Sequence, residues 1–193
     1  MATKLRIGIA GSITLTLLLG CYWALAPSKI NISPDRPLVW KDFKQVPLIN
    51  GNESINAICI STTDFKINRI YDEGDHKRID LKAAIALHED RSQVSLQFLK
   101  KADGETKKQV LHHENGHFKI AQIIGRRIVQ AIDSFHFHPE NYQTELDSIV
   151  RRHYREWSKL DREYDLETTK PRNVEKQREW DVWFKQELLK VGG

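Results

Sequence analysis

Between Leu38 and about residue 95, apolar and polar positions alternate with a period of two. The pattern is clearest where Ile79, Leu81, Ala83, Ile85 and Leu87 interleave with Arg78, Asp80, Lys82, Ala84 and Ala86. Successive side chains of an extended chain point to opposite faces, so this run predicts a strand with one buried side. Leu38-Val39-Trp40 and residues 55–62 predict further strands, with Asn50-Gly51 and Glu73-Gly74-Asp75 as turns between them. Residues 93–101 suit a helix or a strand equally. After Asp103-Gly104 the period changes: Val110, His113, His117, Ile120, Ile124, Ile128 and Ile132 recur at three or four, which predicts one long helix over residues 105–134. A second helix opens after His138-Pro139 and carries Tyr142, Leu146, Ile149, His153, Trp157, Leu160 and Tyr164 on one face. A third follows Lys170-Pro171 and presents Val174, Trp180, Phe184, Leu188 and Val191. The expected architecture is α+β: an N-terminal antiparallel sheet, a long helix and two further helices, with residues 38–193 as one domain.

The first 26 residues differ from the rest. Lys4 and Arg6 precede an uncharged run over residues 7–19, the layout of an export signal. Leu18-Leu19-Gly20-Cys21 has the form of a bacterial lipobox, in which cleavage before the cysteine leaves a thiol that carries lipid. The competing small-residue site, Ala24-Leu25-Ala26, is followed by Pro27, which disfavours ordinary cleavage. An uncleaved anchor is the alternative, since residues 7–26 hold twenty positions without a charge. Either way the domain is expected in the cell envelope, attached to the membrane through Cys21 or the anchor. Residues 27–37, with Pro27, Pro34 and Pro37, read as a tether. With Cys21 lipidated, Cys59 has no intramolecular partner, so a disulfide framework is excluded and Cys59 reads as a small core residue. The net charge of +4 is small, and its signs alternate along residues 151–176, which argues against a nucleic-acid partner.

The helix at residue 113 carries the chemistry. His113-Glu114-Asn115-Gly116-His117 places two imidazoles four residues apart. On an α-helix these are rotated by only about 40° and raised by about 6 Å, so both can reach one cation. Glu114 lies about 100° around the helix from His113, which puts its carboxylate beside a metal-activated water as general base. The set describes a zinc-dependent peptidase, with Zn2+ as cofactor and a peptide or protein as substrate.

Residues 111–121, followed by Arg126-Arg127, resemble the HEQGHFDIAE...AR segment of the DUF922 family, predicted secreted zinc-dependent proteases of bacteria. Residues 38–44 are similar to that family's LxWxDFxG opening. Residues 164–171, with Gln177 and Trp180, resemble its YDxxTxHG...QxxW segment. The resemblance covers nearly all of the chain after residue 37 and implies a zincin-like fold and proteolysis. Three positions depart from it: Lys170 and Pro171 replace the histidine and glycine of the last segment, and Gln122 replaces an acid after the first.

A catalytic zinc takes three protein ligands. Asp165 is the chosen third ligand, with Glu167 beside it in the matching motif and Glu145, His153 and Glu163 on or near the second helix. Tyr164 is a candidate donor to a tetrahedral oxyanion, or a core aromatic. His153 is a hydrogen-bonded core histidine or an orienting partner, His112 a flank residue, and His136 and His138 a candidate surface pair. One of Arg126 and Arg127 is expected, from the resemblance, to orient a carboxylate near the site. The strand over residues 79–87 is expected to hold extended substrate. The alternative function is a catalytically inactive envelope lipoprotein that keeps the fold and binds peptides or proteins.

Overall fold

A computed structural model describes residues 4–8, 12–17, 30–169 and 173–192. Cys21, Lys170 and Pro171 lie outside these. Among the described residues, eight strands come first and four α-helices follow, a mixed α+β arrangement. Strands β1 (Lys4–Gly8), β2 (Ser12–Leu17), β3 (Ile30–Ser33), β6 (Ser61–Asp72) and β7 (Lys77–Leu87) form one sheet in the order β2-β1-β6-β7-β3. Strands β4 (Lys44–Val46), β5 (Ala57–Ile58) and β8 (Gln93–Ser95) form a second, in the order β4-β8-β5. The helices are α1 (Leu96–Lys101), α2 (Gly104–Asp133), α3 (Tyr142–Thr169) and α4 (Val174–Lys190).

The long hairpin of β6 and β7 follows from the alternation read in the sequence. Ile79, Leu81, Ala83, Ile85 and Leu87 are all buried, while their neighbours are partly exposed. Gly74, at φ 89°, closes the turn between the two strands, in a conformation that few side chains tolerate. The sheets are mixed rather than antiparallel, because β3 pairs parallel to β7 and β4 parallel to β8. Lys4–Gly8 and Ser12–Leu17 each adopt strand conformation. The alternation in Ser12-Ile13-Thr14-Leu15-Thr16-Leu17 has the strand period, which accounts for it. Among the described residues, no helix is long and apolar enough to cross a membrane.

Leu38-Val39-Trp40 is not a strand. Asn115 on α2 clamps both backbone groups of Leu38, accepting from its N–H at 2.7 Å and donating to its C=O at 3.2 Å. The Asp42 carboxylate then accepts from the Val39 N–H, turning the chain into a short 3-10 segment at Trp40–Asp42. Trp40 packs there against Phe43 and Phe98. Residues 93–101 resolve into both alternatives: β8 ends at Ser95, whose hydroxyl caps α1 by accepting from the Phe98 N–H.

Helix α2 is the centre of the domain. Its start is capped by Asp103, which accepts from the Thr106 N–H, and its apolar stripe is wide enough to bury Phe118, Ile120, Ile123, Ile124, Ile128 and Ile132. One side lies on β6 and β7, where Gly125 faces Ile85 and Thr63. The other sides are covered by α3 and α4. At the far end Arg127 joins all three helices, pairing with Glu156 of α3 and Glu187 of α4.

Candidate metal centre

Where α3 crosses α2, three side chains converge. Nε2 of His113 and Nε2 of His117 are 3.1 Å apart, and Oδ1 of Asp165 lies 3.2 Å from each. Among the described residues this is the one group of three or more His, Cys, Asp or Glu able to share a cation. The two histidines come from successive turns of α2, and Asp165 from the last third of α3.

Hydrogen bonding behind the rings fixes which nitrogens point inward. Nδ1 of His117 lies 2.7 Å from Oδ1 of Asp161, an acceptor, so this nitrogen carries the proton. Nδ1 of His113 lies 3.0 Å from Oγ1 of Thr168. The single hydroxyl proton of Thr168 is donated to the Tyr164 carbonyl at 2.6 Å, so the hydroxyl can only accept from His113. Both rings are thereby protonated on Nδ1, and both Nε2 lone pairs face the Asp165 oxygen. Three converging acceptors repel one another unless a cation sits among them. The same demand appears as proton affinity. Burial pulls the His117 imidazole down, but its hydrogen bonds to the Asp161 and Asp165 carboxylates outweigh it and push its pKa up to about 10. The two imidazoles hold the Asp165 carboxyl far below its ordinary value, against the opposing effect of desolvation.

Glu114 is buried beside this group. Desolvation raises its pKa, opposed by the positive fields of His117 and His113 and by the Cys59 N–H, which bonds its carboxylate. The Cys59 thiol is pushed well above its usual value by burial and by Glu114, so it stays protonated. Glu114 and His113 open onto a cleft of about 660 Å³, bounded by residues 54–57 on one side and by the start of α4 on the other.

Tyr164 departs from the role of oxyanion donor. It is fully buried and does not line the cleft. Its ring stacks on His113 at 4.7 Å and 7°, and its hydroxyl lies 3.0 Å from both the His113 carbonyl and Oε1 of Gln177. The cause is Gly116: a Cβ there would stand 2.2 Å from the tyrosine oxygen, so only glycine lets the ring pass beneath the motif.

The remaining candidates are occupied elsewhere. His153 donates from Nδ1 to the Ile149 carbonyl in the core, Glu145 caps the His138 N–H, and Glu167 accepts from the Trp180 indole. His112 meets both oxygens of Asp181, linking α2 to α4 at the cleft rim. His136 lies against His76 rather than pairing with His138. Arg127 orients Glu156 and Glu187, about 15 Å along α2 from His117, so neither carboxylate belongs to the centre. The strand over residues 79–87 is also away from the cleft, and over Ala83–Ala86 it is hydrogen-bonded on both edges. Sequence reasoning missed Asp161 and Thr168. The signal was their spacing with Asp165, at i, i+4 and i+7, which puts all three on one face of α3.

No curated protein and no solved structure matches the chain. The profile of a family described as bacterial protein of unknown function (DUF922) matches residues 61–172, more than half of the 193 residues. That span holds both helices of the centre, and the chain belongs to the DUF922 family.

Proposed function

We propose that the protein is a zinc-dependent peptidase with a zincin-like arrangement, in which His113, His117 and Asp165 hold the metal and Glu114 is the general base. The observation that carries this reading is the triangle of ligand atoms. Its edges of 3.1, 3.2 and 3.2 Å match the roughly 3.3 Å separation of neighbouring ligands around a tetrahedral zinc with bonds of about 2.0–2.1 Å. Two imidazoles and one carboxylate are also a known catalytic zinc set, leaving one position for water or substrate. When bound, zinc supplies Lewis-acid polarisation of a carbonyl and acidifies water.

The chain's own groups supply the rest. Glu114, buried and raised in pKa, accepts a proton from the attacking water and returns it to the leaving amine. Strand β5 offers the substrate a backbone edge. Ser95 donates to the Asn56 carbonyl, and Ala57 stands opposite Val94. The alternation of an antiparallel ladder therefore turns the Ala57 N–H and C=O away from β8, to the side on which the Cys59 N–H meets Glu114. An extended peptide paired at Ala57 lies in the cleft alongside the centre. Asp165 supports activity despite Lys170, because it completes the ligand set without a contribution from that position.

Export and lipidation at Cys21 complete the proposal, supported by Lys4, Arg6 and the Leu18-Leu19-Gly20-Cys21 segment. Cleavage there removes β1 and β2 and leaves every residue of the centre in place. The test is metal content and peptide cleavage by the full chain and its Glu114→Ala variant. Stoichiometric zinc in both, with cleavage by the wild type alone, is expected. Zinc without cleavage by either favours a binding module, and absence of zinc from both refutes the metal centre. Loss of palmitate labelling in Cys21→Ala checks the anchor.

A further inference from the structure

We propose that Asp161 is the positioning residue of this centre, and that its charge makes His117 the ligand on which retention of the metal chiefly depends. The inference rests on the metal reading above but concerns a residue outside the ligand set.

The two imidazoles are supported unequally. Behind His117 stands a carboxylate, 2.7 Å from Nδ1. Among the described residues, His117 is the only His, Lys or Arg side chain within ion-pair distance of Asp161. A carboxylate that accepts from Nδ1–H fixes the tautomer, fixes the ring plane and shifts electron density toward Nε2, making that nitrogen the stronger donor. Behind His113 stands the Thr168 hydroxyl at 3.0 Å, whose proton is committed to the Tyr164 carbonyl. It orients the ring without adding charge, and the stacked Tyr164 ring holds the same orientation from beneath. Tyr164 packs against both rings, stacked on His113 and edge-on to His117, so what distinguishes His117 is the charge behind it. Asp161, Asp165 and Thr168 occupy one face of α3 at i, i+4 and i+7, so a single helix carries one ligand and the partners of the other two.

Asp161→Asn keeps the shape and removes the charge, and Thr168→Val does the equivalent behind His113. Zinc affinity of the full chain is measured by competition with a chromogenic chelator, cobalt(II) absorption reports ligand geometry, and the melting temperature of the metal-free protein reports folding. Asp161→Asn is expected to weaken zinc binding by about 10- to 100-fold and to alter the cobalt spectrum, while the metal-free melting temperature falls only by the loss of the His117–Asp161 pair. Thr168→Val is expected to lose less, and Asp161→Glu to recover part of the affinity. The proposal is overturned if Asp161→Asn binds zinc as tightly as wild type, if Thr168→Val loses as much affinity, or if Asp161→Glu recovers none of it. A wild-type chain that binds neither metal overturns the metal reading and this inference with it, and wild-type binding separates the two.

Discussion

Gly116→Ala tests whether the contact between α2 and α3 is as tight as its geometry requires. A Cβ at this position stands 2.2 Å from the Tyr164 oxygen, 2.3 Å from Cζ and 2.7 Å from Cε1. Ordinary contact begins near 3.5 Å, so the ring has to retreat by at least about 1.3 Å. It has little room. Tyr164 is fully buried between His113, Trp180 and Phe184, and its hydroxyl is bound to Gln177 and the His113 carbonyl. Overpacking at a rigid site costs about 3 kcal/mol, and the lost hydroxyl bond about 1 kcal/mol more. Replacing a mid-helix glycine by alanine returns about 1 kcal/mol. The net expectation is a loss of about 3 kcal/mol, or a melting temperature lowered by about 6–12 °C in a chain of this size. Circular-dichroism melts measure it, and a double-mutant cycle assigns it. In a Tyr164→Ala background the new methyl group meets open space, so Gly116→Ala should there show only the helix-propensity gain of about 1 kcal/mol. A single variant as stable as wild type, or more stable by the helix-propensity gain, refutes the packing argument.

Three further outcomes follow from contacts elsewhere. Asn115→Ala strips two hydrogen bonds from the Leu38 backbone and should cost about 2 kcal/mol in denaturant unfolding, with zinc binding retained. Arg127→Ala leaves the buried Glu187 with Lys190 alone; a loss of about 2 kcal/mol is expected, and adding Glu187→Gln should restore part of it. The Arg36 guanidinium holds the Asp42 carboxyl below its ordinary 3.8. A depressed folded pKa stabilises above the unfolded value and is lost as pH falls through the folded one. Asp42→Asn should therefore lower stability near neutrality and flatten the acid limb below about pH 4, read as urea midpoints from roughly pH 6 to 2.5.

The parts legible in the sequence were those written as periods. The strand at Ile79–Leu87 and all three long helices fall within a few residues of their expected places, because each buries one regular face. The spacing of His113 and His117 likewise determines a shared direction without reference to the rest of the chain. Three features were not legible. The 3-10 segment at Trp40 depends on Asn115, far away in sequence, pinning Leu38. The parallel pairings of β3 and β4 depend on which strand edge is free in the folded sheet. The burial of Tyr164 depends on a glycine in another helix, and an apolar stripe cannot distinguish an aromatic that ends at a cleft from one that ends beneath it.

The last of these features follows from the register of α3 against α2. The histidine pair of α2 supplies direction, but a third ligand reaches it only if α3 crosses at one height. Gly116 sets that height by admitting Tyr164, and the tyrosine brings Asp165 and Thr168 with it, one residue and one turn further along the same helix. Asp161, one turn earlier, arrives behind His117 by the same registration. A shift of α3 by a single turn, about 5.4 Å, would exchange Asp161 for Asp165 at the centre and remove the support behind both rings. The packing that stabilises the helical core and the geometry that would hold a metal are therefore one contact, and a substitution that loosens the first should be read out in the second.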